Sequence, residues 1–110
     1  RYSDHQQDAK RALEAARRRA GTTQTGERAT FRLARLHLDQ LRDPGAAARW
    51  FDTYLKEHPQ GRSAEKARGL RMQALKKAGK LKEAHQAAQD YLRLHPQGLY
   101  RTSAEGILQR

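Results

Sequence analysis

Five histidines, a run of three arginines and no cysteine bound the chemistry open to this chain of 110 residues. His58 and His95 each precede a proline and lie 37 residues apart. A histidine recurring at one place of a repeat points to a structural task at a helix end. Neither His-Glu-x-x-His nor a comparable ligand spacing is present, so no metal and no cofactor is expected. The lack of cysteine excludes disulfides, thiolate metal sites and a cysteine nucleophile, and leaves the redox compartment open. No glycine-rich phosphate loop, nucleophile elbow or repeat-related acidic pair occurs, and Ser63 and Ser103 read as helix caps. The chain is expected not to be an enzyme.

Charge is the other chemical resource. The formal net charge is +11, with arginine outnumbering lysine. Such a surface attracts nucleic acid, phospholipid head groups and acidic protein segments. Arg17, Arg18 and Arg19 are candidates for gripping an anion, although they fall in the last turn of a helix, where cations also meet the negative end of the helix dipole. A composition rich in Arg and Ala without Asn also fits a genomic base bias, under which the charge is solvated background. Trp50, Phe51, Tyr54 and Tyr91 offer ring faces for stacked bases, yet their helical spacing assigns them to a core.

The elements that must position these residues are helical. Valine and asparagine are absent and Ile107 is the only isoleucine, which removes most strand formers. A first helix is expected over about Ser3 to Ala20, with Ala9, Ala12, Leu13, Ala16 and Ala20 on one face, followed by a polar connection from Gly21 to Gly26. A second helix runs from about Glu27 to Leu41, carrying Phe31, Ala34, Leu38 and Leu41, with Leu33 and Leu36 widening the apolar face. Asp43-Pro44 caps a third, whose Ala47, Trp50, Phe51, Tyr54 and Leu55 form the strongest amphipathic stripe. A fourth covers about Ala64 to Ala78 and a fifth Leu81 to Leu94. Thr102-Ser-Ala-Glu105 reads as a capping box that opens a sixth. No apolar run approaches the ~20 residues of a membrane span.

These helices repeat. Tyr54-Leu-Lys-Glu-His-Pro-Gln-Gly61 returns as Tyr91-Leu-Arg-Leu-His-Pro-Gln-Gly98, and Leu33, Leu70 and Ile107 keep the same 37-residue spacing. A fixed period of this size predicts an all-α solenoid of antiparallel helix pairs, in which one unit buries its apolar face only by stacking on the next. The organisation is one continuous domain: residues 1–26 as leading helix and linker, 27–63 and 64–100 as repeats, and 101–110 as the start of a further helix. The chain opens on Arg1, and the array begins and ends within a unit, so a segment of a longer protein is expected. Its open ends, at Leu13 and Ile107, also allow self-association.

The units resemble tetratricopeptide repeats. Phe31 matches the large aromatic of the first helix, Ala47 the small residue at the helix crossing, Phe51 the aromatic of the second helix and Pro59 the closing proline; Ala84 and Pro96 match in the next unit. Arg68, Ala88 and Tyr91 depart, and the period exceeds the usual 34 or so. The helix end Tyr-Leu-x-x-His-Pro-x-Gly is similar to repeats of bacterial envelope proteins, of the outer-membrane assembly lipoprotein and Tol-Pal periplasmic-partner type, and of membrane-tethered anti-sigma regulators. The resemblance covers roughly Glu27 to Arg110. It implies a protein-interaction scaffold in the periplasm or cell envelope, the cytoplasm being the alternative.

In stacked helix pairs the exposed side of each first helix lines a groove. That assigns Arg28, Arg32, Arg35, Asp39 and Arg42 of the second helix, and Glu65, Arg68, Met72 and Lys76 of the fourth, to a basic surface. Arginine forks there suit a partner with acidic or carboxylate-bearing side chains. The asparagine-dependent carboxylate clamp of some such repeats cannot be built without asparagine. Nucleic-acid binding through the same charge is the alternative expectation.

Overall fold

The computed structural model describes residues 3–109. Over them run six α-helices: α1 (Asp4–Ala20), α2 (Gln24–Asp39), α3 (Pro44–Glu57), α4 (Ala64–Lys77), α5 (Leu81–Leu94) and α6 (Arg101–Leu108). There is no strand among the described residues, and none of these helices is long and apolar enough to cross a membrane. Each helix packs on its neighbours in sequence, and α4 also reaches α6. The body measures 40 × 31 × 19 Å. Its least dimension is about two helix diameters, so the core is a thin seam between layers.

Small residues let the helices approach. Ala34, Ala47, Ala67, Ala74, Ala84, Ala88 and Ala104 are fully buried, and between them sit the large side chains Phe51, Tyr54, Met72 and Tyr91. Each fully buried aromatic or aliphatic side chain contributes about 1.5–3 kcal/mol of apolar transfer energy. Phe31 meets Phe51 and Tyr54 edge-on, with ring centroids 5.8 and 5.6 Å apart. Leu33 and Leu36 are both buried, so α2 is covered on two sides, by α1 and by α3.

Two helix starts differ from the sequence reading, and a third agrees with it in position. Thr23 caps α2 through its hydroxyl, which accepts from the Gly26 N–H, so the helix begins three residues before Glu27. The N-cap of α6 is Tyr100, and Thr102 and Ser103 lie inside the helix. Ser63 does cap α4 by position but makes no side-chain capping bond. At both of the last two starts the backbone N–H of the cap residue is taken by a tyrosine hydroxyl from the preceding helix, at 3.0 Å for Ser63 and 2.9 Å for Tyr100.

Candidate functional site

The repeated eight-residue segment builds a clasp. Tyr54 is fully buried near the end of α3, and its hydroxyl donates to Glu27 Oε2 at 2.5 Å while accepting from Ser63 N–H. The same carboxylate oxygen accepts from Arg62 N–H at 3.0 Å. In the next unit Tyr91 donates to Glu65 at 2.9 Å, Tyr100 N–H donates to Tyr91, and Leu99 N–H donates to Glu65 at 3.2 Å. Gly61 and Gly98 are required by close approach: a Cβ on either would run into the tyrosine hydroxyl and the glutamate carboxylate. His58 and His95 lean on their tyrosines at 5.3 and 5.2 Å, so both histidines serve the turn.

The electrostatics follow from this geometry. Burial, then the bond to Glu27, pushes the Tyr54 hydroxyl up to about 12, so it remains a proton donor throughout the ordinary range. Burial raises Tyr91 in the same way. The bond from Tyr91 holds the Glu65 carboxyl below its usual value. Glu27 and Glu65 are 38 residues apart, one more than the tyrosines, which hides their equivalence from a strict 37-residue comparison. Sequence reasoning therefore left Glu27 without a role and placed Glu65 on the basic surface, whereas both are acceptors of the clasp.

Of the residues assigned to the groove, Arg28, Arg32, Asp39 and Lys76 are exposed. Arg35 is half-buried and paired with Asp39 at 3.0 Å. Met72 is a correction: it is fully buried in the core and lines no surface. Arg68 is a second one. It turns toward α5, donating to Pro59 O at 2.9 Å and lying 3.0 Å from His95 Nε2, in a small cleft with Leu55, Arg71 and Leu94. Because a guanidinium only donates, His95 Nε2 is the acceptor. We expect Arg68→Glu to lower stability by about 1–3 kcal/mol without weakening capture of an acidic ligand, as read by denaturant unfolding beside a binding isotherm.

Arg17 is likewise engaged. It pairs with Glu57 and lies over the Trp50 ring, 5.3 Å from its centroid, tying α1 to α3. Arg18 and Arg19 remain exposed. Phe51, Tyr54 and Tyr91 are wholly buried, so no base can stack on them.

Clefts open beside α2, α4 and α6. The first, about 330 Å³, is bordered by Arg28, Phe31, Arg32, Tyr54, Arg62 and Ser63. A second lies among Leu38, Asp39, Arg42, Pro44 and Lys77, and a third, about 410 Å³, between α4 and α6 with Lys76, Lys77 and Ile107. Arg28, Arg32 and Arg62 have no side-chain ion pair or hydrogen bond among the described residues. The acids of these clefts are already committed, Glu27 to the clasp and Asp39 to Arg35. The net field is cationic beside exposed apolar surface.

His37 stands apart from these clefts. It is 3% exposed, neither ring nitrogen finds a partner, and Lys10 and Glu14 of α1, with Asp43 and Arg49, are the charges around it. Burial lowers its pKa. A histidine whose folded pKa lies below its unfolded value contributes stability that is complete above that value, near 6.5, and lost as pH falls through the folded one. Unfolding midpoints in urea should therefore drop between pH 7.5 and 5, and His37→Leu should remove that part of the drop.

The chain matches no protein-family model, no curated protein and no solved structure. The repeat, the clasp and the cationic clefts are thus the whole basis for a functional reading.

Proposed function

We propose that this chain is a non-enzymatic scaffold, a tetratricopeptide-like solenoid segment that captures an acidic segment of a partner protein on the side formed by α2, α4 and α6. The observation that carries the reading is the set of unpaired guanidinium groups, Arg28, Arg32 and Arg62, around a cleft whose one acid is consumed by a buried tyrosine. Free arginine forks recognise carboxylates in two-point contacts. The solenoid reading is supported by helices that pack in sequence and by two clasps of the same design. A place in the bacterial envelope belongs to the same proposal and rests on the Tyr-Leu-x-x-His-Pro-x-Gly resemblance.

A labelled glutamate-rich peptide, competed with a single-stranded oligonucleotide, tests it. Binding that survives at about 0.15 M salt, where the screening length is about 8 Å, and resists the oligonucleotide supports the scaffold. Peptide binding that vanishes at that salt, with the oligonucleotide still bound and log affinity falling steeply against log salt, would reassign the surface to nucleic acid.

A further inference from the structure

The turns that follow α2 and α4 end alike. Asp43 N–H donates to His37 O at 2.8 Å and Lys80 N–H to Leu75 O at 2.9 Å, and the residue before each donor has a positive φ, 53° for Arg42 and 78° for Gly79. Glycine adopts that left-handed region freely, whereas a residue with a Cβ is strained there. An arginine thus stands in the first unit where the second has the residue that the turn favours. No contact offsets the strain, because the exposed Arg42 side chain has no ion pair or hydrogen bond among the described residues.

What Arg42 does border is a cleft of about 360 Å³ at the C-terminal ends of α2 and α4. Lys77 of α4 borders it too, exposed and equally without a partner among the described residues, together with the apolar Leu38 and Pro44. Its one acid, Asp39, is held by Arg35 at 3.0 Å.

We infer that this cleft is a second carboxylate subsite, which takes a further acidic cluster of the same partner segment that the cleft of Arg28, Arg32 and Arg62 captures. The inference rests on the acidic-partner reading and adds a spacing to it. Arg42 supplies a planar fork and Lys77 a point charge, and apolar neighbours reduce the screening of both by water. The two clefts lie toward opposite ends of α2, at Arg28 and at Asp39, 11 residues or about 16 Å apart along the helix axis. An extended peptide rises about 3.3 Å per residue, so the two acidic clusters should be centred about five residues apart. Carrying both on one segment makes the second contact intramolecular, which raises affinity without added charge.

The experiment titrates the whole chain, at about 0.15 M salt, with two peptides of equal length and equal glutamate content. One carries its glutamates as two pairs centred about five residues apart, the other as a single contiguous block. The split peptide should bind about tenfold more tightly. Arg42→Gly should abolish that preference while the thermal midpoint holds or rises by a few degrees, because glycine relieves the strain. Lys77→Ala, at an exposed helical position that suits alanine, should diminish the preference as well. Equal affinity for the two peptides in the unaltered chain, or a preference undiminished in either folded variant, overturns the inference and leaves the acidic-partner reading standing. A lowered midpoint in Arg42→Gly also overturns it, since the arginine would then serve the fold. Binding of neither peptide overturns both readings.

Discussion

Tyr54→Phe is expected to destabilise the chain by about 2–4 kcal/mol, although it removes a single oxygen atom. That atom donates to Glu27 and accepts from Ser63 N–H, inside a position with no solvent access. A hydrogen bond to a charged group contributes about 1.5–3 kcal/mol, and a stranded buried polar group costs about 1–3 kcal/mol. Against a total stability of about 5–15 kcal/mol, the loss should lower the thermal midpoint by roughly 10 °C or more. Tyr91→Phe should cost less, because the Glu65 side chain is 40% exposed and water can replace the lost partner, whereas that of Glu27 is 18% exposed. Thermal and denaturant unfolding of both variants would measure the contrast. No loss in either variant would mean that the clasp acts through ring packing alone, and equal losses would mean that the exposure of the glutamate does not set the cost.

The second large effect concerns binding. Reversing Arg28, Arg32 and Arg62 to glutamate should weaken capture of an acidic segment on the order of 10²-fold. Three exposed charges at about 1 kcal/mol each make about 3 kcal/mol, and each 1.4 kcal/mol is a factor of ten. Stability should change little, because these side chains hold no partner in the fold, and surface substitutions of that kind usually stay within about 0.5 kcal/mol each. Isothermal titration with a glutamate-rich peptide, read beside a denaturation curve, separates the two quantities. Undiminished affinity in a folded triple variant would remove the basic cleft from the function. Arg62 matters particularly, since it lies in the turn and was absent from the surface expected from sequence.

Helix order and helix composition were legible in advance because local periodicity carries them. The stripe Ala47, Trp50, Phe51, Tyr54 and Leu55 predicts one helix face, and α3 buries Ala47, Phe51 and Tyr54 with Trp50 and Leu55 at the edge. Boundaries were less legible. Thr102-Ser-Ala-Glu105 has the composition of a capping box, yet the helix starts one residue before it, with Tyr100 at the N-cap and its N–H taken by the Tyr91 hydroxyl, the bond that a capping-box glutamate would supply. The groove was legible in part. Arg28 and Arg32 are exposed as expected, while Met72 is core and Arg68 faces α5, because the α2–α3 connection is one residue longer than the α4–α5 connection and shifts the first helices to a 38-residue correspondence.

The sequence by itself determined the all-helical class, the two-fold recurrence of the Tyr-to-Gly segment and the excess of positive charge, since each is a property of local pattern or of composition. Only the tertiary structure decided which arginines are consumed and which glutamates close the clasps. Those outcomes depend on side chains from different helices meeting across a seam, and a contact between residues 27 and 54, or 69 and 100, is set by how the helices stack rather than by any spacing along the chain.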